Sequence, residues 1–322
     1  MQADPSPVSD AGERRPGSLL VVGTGAMACL FAARLAGAGI RVILLGTWQE
    51  GLVALQEHGV RVVEDDGMER AYPVNATSDP RDCAGSTHAL VLVKSWQTER
   101  AAEQLARCLS PDGLALTLQN GLGNRETLVR FLGASRVALG VTTSGATLLG
   151  PGQVRPGGQG GIVLGDHPRL GPLASLLGRA GFSLETVSRA DDLLWSKLVV
   201  NAAINPLTAL LRVPNGELLM RPSARTLMAS AALEVAEVAS ALGLHLIDPD
   251  PVAAAEAVAR RTALNHSSMF QDAVRGAPTE IDAICGAVVS TGERCGVHTP
   301  VNRTLWLLVK ALGEKGDSRC EP

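Results

Sequence analysis

The chain has no uninterrupted run of about eighteen apolar residues, so nothing in it reads as a membrane span. It has no long block of Lys and Arg, and 29 basic residues stand against 32 acidic ones for a formal charge of −3. That balance gives no electrostatic reason to expect a nucleic acid or an anionic membrane as partner. Cysteine is sparse: residues 29, 83, 108, 285, 295 and 320, with no CxxC pair. No metal site is read from them, and they are expected to be small buried apolar residues in a reducing compartment, which makes the expected location cytoplasmic. Residues 1–17 are rich in Pro, Asp and Arg and lack the apolar core of a signal peptide. They are expected to be a disordered tail.

What is present is apolar mass and a change of texture. The 322 residues are 46% hydrophobic, enough for two cores. Ser18–Val22 is a short apolar run that ends in Gly23-Thr24-Gly25; a helical stretch, Ala26–Leu35, and a second strand, Ile40–Leu45, follow. This is a βαβ unit. Gly59–Glu64 and Arg70–Asn75 read as a small antiparallel excursion. Strands at 89–93, 114–118 and 136–141 alternate with helices, so a mainly parallel sheet covered on both faces is expected. The glycines between 145 and 165 suggest hairpins at the sheet edge. After Arg189 the spacing turns helical, including a helix expected over Glu280–Cys295. The fold class is therefore α/β, a Rossmann-like dinucleotide-binding domain (18–188) followed by an all-helical substrate domain (189–316).

Gly23-Thr24-Gly25-Ala26-Met27-Ala28 follows a strand and opens a helix, the context in which a GxGxxA string binds a pyrophosphate rather than serving as an ordinary β–α turn. The second strand, however, ends in Leu45-Gly46-Thr47-Trp48-Gln49. It offers neither the acid of an NAD site nor an arginine for a 2′-phosphate; Thr47 and Gln49 are weaker anchors. In the second half, Lys197, Asn201 and Asn205 recur every four residues on an otherwise apolar helix. Two readings stay open: a solvent-facing stripe, or polar groups turned inward toward a ligand that satisfies them. Pro206 should kink or end that helix. Asn265, Ser268 and Glu280 form a second polar group, for which a turn residue and a helix-start carboxylate are the plain alternatives.

Taken together, GTGAMA (23–28), VKSWQ (93–97), QNGLGN (119–124), KLVVNAAINPLTAL (197–210), PNGEL (214–218), NHSSMFQD (265–272) and TEID (279–282) make the chain similar to the ketopantoate reductase family. The resemblance covers about Leu19 to Leu312. It implies hydride transfer from NADPH to the C2 ketone of 2-dehydropantoate, giving (R)-pantoate for coenzyme A synthesis. Lys197 matches the catalytic general acid, and Glu280 its acidic partner. Asn120, Asn201, Asn205, Asn215, Asn265 and Ser268 match substrate-binding groups. Gly23, Thr24, Gly25, Ala26, Met27, Thr47, Lys94, Asn120 and Glu280 fall on the cofactor side. Three departures stand out: Ala28 replaces the common glycine, the basic residue after the second strand is missing, and small Ala202 and Ala203 suggest a pocket open to bulkier branched 2-oxo acids. The alternatives are a reductase of another 2-oxo acid and a non-catalytic nucleotide-binding sensor. The expected partner is a small 2-oxo acid; the apolar second-domain helices allow either a homodimer or a monomer core.

Overall fold

The computed structural model describes residues 18–64, 66–158 and 160–314; the predicted N-terminal tail and Cys320 lie outside the described residues. The strands are β1 (Leu19–Val22), β2 (Val42–Leu45), β3 (Val60–Val63), β4 (Glu69–Tyr72), β5 (Asn75–Thr77), β6 (Ser86–Val91), β7 (Leu109–Thr117), β8 (Val137–Thr142), β9 (Ala146–Gly150), β10 (Gln153–Pro156), β11 (Ile162–Gly165) and β12 (Leu184–Val187). The helices of the first half are α1 (Ala26–Gly37), α2 (Gln49–His58), α3 (Thr98–Cys108), α4 (Asn124–Leu132) and α5 (Gly171–Arg179). Those of the second half are α6 (Ala190–Leu211), α7 (Glu217–Met220), α8 (Pro222–Ala241), α9 (Pro251–Arg261), α10 (Ser268–Val274), α11 (Ala287–Cys295) and α12 (Pro300–Gly313).

All four residues of β1 are buried. Alternation sends Leu19 and Val21 into a core with α1 and α5, and Leu20 and Val22 into another with α3 and α4. A strand apolar on both faces has to be central. Accordingly the main sheet runs β12-β11-β8-β7-β6-β1-β2-β5, parallel except where β11 meets β8 antiparallel. The excursion pairs β3 with β4 antiparallel as expected. The glycine-dense segment differs from expectation. Its hairpin, β9–β10, leaves the main sheet and completes a four-stranded sheet, β4-β3-β10-β9. Val154 of β10 packs with Val60 and Val62 of β3 in the core shared with α1, so hydrophobic burial there outweighs edge pairing. Cys29, Cys83, Cys108 and Cys285 are buried, and desolvation pushes the Cys29 and Cys83 thiols up to about 12, which leaves them chemically quiet.

The second half is a helical cluster around α6. An 18-residue window of α6 has mean hydropathy 1.2, enough by length and composition for a membrane span, but 67% of the window is buried inside the fold. It is the core helix of the domain. Of the kink or end expected at Pro206, the end does not occur: the helix runs on to Leu211 and closes at Arg212, φ 55°. Proline removes one donor, while the Thr208 hydroxyl serves the carbonyls of Ile204 and Asn205 at 3.0 Å each. Ala202 and Ala203 are both 0% exposed within the helical core, so their small size serves helix packing and they do not widen a pocket. The expected helix over 280–295 also needs correction. Glu280 precedes it, the backbone widens to a π-helical turn at Asp282–Gly286, and α11 starts at Ala287. There the Trp306 indole N–H donates to Asp282 at 2.6 Å, and its ring packs so closely on Gly286 that a Cβ there would stand 3.0 Å from it.

One buried carboxylate ties α8 to α12. Glu234 accepts from the backbone N–H groups of Val301 (2.8 Å) and Asn302 (2.9 Å) and from the Asn302 amide (2.8 Å). These are orphan donors of a helix start that no local side chain caps. Replacing Glu234 by Ala strands them in the interior. We expect a loss of about 2–4 kcal/mol in unfolding free energy, read by urea denaturation.

Candidate active site

The glycine turn joins β1 to α1. Gly23 has φ +128°, and a Cβ there would stand 3.1 Å from the Leu92 carbonyl at the end of β6; only glycine fits both the conformation and the approach. Gly25 is different. Its backbone is extended and a Cβ would meet nothing within 4 Å. The space beside it is open, and no side chain caps the first turn of α1 at Ala26 and Met27. Unfilled N–H groups, a helix's positive end and an open approach fit a diphosphate. Ala28 is 0% exposed against the sheet, so the change from glycine is absorbed by close packing. Thr24 is buried against Gly46, where any side chain would collide with it. Thr47 is exposed just beyond, and residues 46–51 contain no base.

Two loops at the carboxyl ends of β6 and β7 are fixed by a buried polar chain that sequence reasoning missed. The Gln119 amide donates to the Val93 carbonyl (2.9 Å) and the Thr98 hydroxyl (2.8 Å). Thr98 donates to Asn124 (2.8 Å), and the Asn124 amide donates to the Asn120 carbonyl (2.9 Å). The signal was present in QNGLGN, but periodicity says nothing about which amide faces inward. Gly121 then meets the helical half: its φ is +79°, a Cβ would lie 2.5 Å from the Ala283 carbonyl, and the Leu122 N–H donates to that carbonyl at 2.8 Å. Ala283 lies within the π turn.

Beside this bridge lies an ionic one. Lys94 follows β6; its ammonium sits 2.6 Å from Asp272 of α10 and 3.6 Å from Glu280. Both acids are buried. Glu280 also accepts from the Ser95 N–H at 3.0 Å, and Asp272 from Arg275 at 3.2 Å. Burial opposes the charge on Lys94, but Glu280 and Asp272 outweigh it and carry its pKa above the ordinary lysine value. Lys197 of α6 is set apart. It donates to the Thr142 carbonyl at 2.7 Å, and no carboxylate pairs with it among the described residues. The residue is half-buried. Desolvation drives its pKa down to about 8, with a smaller upward pull from Glu280.

The amides divide. Asn201 is half-buried and Asn205 buried, one and two turns beyond Lys197 on α6. Neither side-chain amide, nor that of Asn120, hydrogen-bonds protein among the described residues. Asn215 donates to Thr262 at 2.8 Å, while its buried side-chain oxygen has no partner. Its N–H donates to the Asn265 carbonyl at 3.0 Å; Asn265 itself is exposed. Ser268 is exposed at the start of α10, whereas the neighbouring Ser267 is buried, caps the Phe270 N–H (3.1 Å) and meets the Thr208 hydroxyl (2.7 Å). Lys94, Glu280 and the unpredicted Asp272 are thus in contact, Lys197 lies within the field of Glu280, and the amides extend along α6.

Residues 19–169 match the model of ketopantoate reductase PanE/ApbA, and residues 189–313 that of its C-terminal part. The chain belongs to the ketopantoate reductase family. A 2-dehydropantoate 2-reductase of Halobacterium salinarum is 36% identical over 304 residues, covering 92% of this chain and 99% of that protein. One from Archaeoglobus fulgidus is 37% identical, covering 91% and 96%. Among solved structures, a PanE/ApbA family ketopantoate reductase from Ralstonia eutropha superposes with a TM-score of 0.85 at 33% identity, covering 92% and 98%. D-mandelate dehydrogenase with NADH and anilino(oxo)acetate gives 0.85 at 28% identity, covering 92% and 98%. As a member of this family the chain is an NAD(P)H-dependent reductase of a 2-oxo acid. The two glycines of the turn should separate folding from cofactor binding. Gly25→Val should leave thermal unfolding near wild type while weakening NAD(P)H binding at least about tenfold by fluorescence titration, roughly 1.4 kcal/mol. Gly23→Ala should lower the unfolding temperature.

Proposed function

We propose that the chain reduces the C2 ketone of 2-dehydropantoate to (R)-pantoate with NADPH, Lys197 serving as general acid. The observation that carries this reading is the Lys197 ammonium, held by a carbonyl and no carboxylate, with a pKa drawn down to about 8. At pH 7 such a group is protonated about ten to one yet gives up its proton far more readily than an exposed lysine. When bound, the nicotinamide supplies the hydride. As hydride reaches C2 the ketone oxygen gains negative charge; the ammonium stabilises it and then donates the proton. Glu280 keeps that ammonium charged against desolvation. Asn201 and Asn205, with amides unused by protein, and Asn215, with an unpartnered oxygen, are suited to the substrate's carboxylate and hydroxyl. Asn120, Asn265 and Ser268 complete the proposed set, and Lys94 and Thr47 belong to the cofactor side.

A second reading has support of its own. The missing base after β2 removes the usual partner of a 2′-phosphate, and the structurally similar D-mandelate dehydrogenase is described with NADH. Under that reading the chain reduces a different, branched or aryl, 2-oxo acid with NADH. Steady-state rates with NADPH and NADH, each against 2-dehydropantoate and phenylglyoxylate, separate the two. The first reading expects kcat/KM at least about tenfold higher for NADPH with 2-dehydropantoate; higher values for NADH with phenylglyoxylate overturn it.

Lys197→Ala should lower turnover at least about 100-fold with cofactor affinity little changed, the scale usual for general acid catalysis. Unchanged turnover would count against Lys197 as the general acid. Because the acid must be protonated, kcat/KM for reduction should be flat at neutral pH and fall as pH rises through about 8. The alkaline fall should be missing from the residual rate of Lys197→Ala.

A further inference from the structure

The Lys197 ammonium has one hydrogen-bond partner among the described residues, the Thr142 carbonyl at 2.7 Å, and that carbonyl is fixed from several sides. Thr142 is the last residue of β8, is buried, and pairs with Ile162 of β11. Beyond it the chain closes into a tight turn. The Thr143 N–H donates to the Gly161 carbonyl at 3.0 Å. A trans peptide points its N–H and C=O to opposite sides. The plane that sends this N–H to Gly161 therefore sends the Thr142 carbonyl the other way, to Lys197. The Thr142 hydroxyl secures the same turn twice over: it donates to the Gly161 carbonyl at 3.1 Å and accepts from the Ser144 N–H at 3.1 Å. The Gly161 N–H in turn donates to the Thr143 hydroxyl at 3.0 Å. Gly160 lies so close that a Cβ there would collide with the backbone of Thr143 and Ser144.

We propose that Thr142 is a positioning residue for the reaction: its hydroxyl, by closing the turn over Gly161 and Ser144, fixes the carbonyl that aims the Lys197 ammonium. The inference rests on the reading of Lys197 as the general acid and deepens it. An ammonium carries three N–H donors. With one held by a fixed carbonyl, rotation about the last side-chain bond is arrested and the directions of the other two are set. A proton so aimed needs no search as the ketone oxygen gains charge, and alignment of this kind is worth a large share of a rate. The same bond favours the charged form, because the carbonyl replaces part of the water that a desolvated ammonium has lost. Valine at 142 would keep the branched shape but neither donate nor accept; serine would do both. Valine thus releases the Ser144 N–H and lets the peptide plane turn, and the ammonium loses its direction together with its acceptor. The charged group that acts on Lys197 is Glu280, itself paired with Lys94 at 3.6 Å; substitutions in the turn alter neither.

Turnover and amine labelling test this together. Rates are taken with the faster of two pairs, NADPH with 2-dehydropantoate or NADH with phenylglyoxylate. Thr142→Val should lower kcat about tenfold with KM within about twofold of wild type, and Thr142→Ser should keep kcat within about twofold. In the Lys197→Ala background Thr142→Val should have no further effect; losses that multiply mean that Thr142 acts independently of Lys197 and overturn the proposal. The second readout needs no turnover: the pH midpoint of acylation at Lys197 in the ligand-free protein, read by mass spectrometry. Wild type should show a midpoint near 8. Thr142→Val should lower it by about half a pH unit or more, and Thr142→Ser should leave it in place. A wild-type kcat in Thr142→Val, or a midpoint that stays or rises, overturns the proposal. Should Thr142→Val fail to fold, Gly160→Ala presses on the same turn from across it and leaves the hydroxyl and Lys197 intact. It should lower kcat and the midpoint likewise, and wild-type values there reject the idea. The general-acid reading fails separately, on a Lys197→Ala variant that turns over like wild type; the labelling midpoints still decide whether Thr142 holds the ammonium.

Discussion

Two buried carboxylates on the helical half closing over one ammonium on the sheet half form the constraint on which the site depends. Asp272 and Glu280 would each be costly to bury alone, since an unpaired interior charge loses its hydration without return. Lys94, with about a third of its side chain exposed, keeps part of its hydration and supplies the counter-charge. Each makes the others tolerable, but only if the carboxyl end of the sheet and the helical cluster stand at one particular separation. The Leu122 N–H to Ala283 carbonyl bond beside them repeats that requirement in uncharged form. The residues that join the two halves also carry the charges gathered there.

Lys197 gains its properties by exclusion from this arrangement. A lysine in the interior usually finds a carboxylate; this one meets a carbonyl, while the two nearby acids are engaged by Lys94, Ser95 and Arg275. A direct ion pair would raise its pKa and hold its proton too firmly. Complete isolation would strip the proton at neutral pH. A carboxylate near enough to act through its field, but bonded elsewhere, lies between those limits.

Much of the fold was legible in the residues, for reasons visible at β1. Four apolar residues in succession, followed by a glycine turn and an alanine-rich helix, leave few arrangements other than a central strand and a packed βαβ unit. The change of periodicity after Arg189 marked the helices equally well. What stayed hidden depends on contacts distant in sequence. The β9–β10 hairpin belongs to a second sheet because Val154 packs with Val60 and Val62, some ninety residues earlier. Pro206 reads locally as a break, yet tertiary packing carries α6 through it. At the π turn before α11, Trp306 packs on Gly286, twenty residues apart. Lys197, Asn201 and Asn205 were found by their spacing, but spacing could not tell Asp272, quoted within NHSSMFQD, from an ordinary helix-surface acid. Nor could it place Lys94 against it, 178 residues away.

The same distinction bears on how the chain divides the labour of recognition. At the turn, geometry is exacting: Gly23 under Leu92, Gly46 against Thr24, Ala28 flush with the sheet. These are contacts within the protein that set the shape of the turn, and none of them distinguishes one dinucleotide from another. Discrimination between cofactors has to come from the end of β2, where Gly46 to Gly51 offer an exposed threonine, an indole, an amide and one acid, and no fixed charge directed by a scaffold. A hydroxyl or amide can hydrogen-bond a phosphate but lacks the charge and the bidentate fork that a guanidinium brings. The physical expectation is a site that grips the common part of the cofactor firmly and tells its variants apart weakly. Strictness then falls to the substrate end, where the polar groups along α6 lie among apolar neighbours and an unmatched ligand would leave them desolvated without partners.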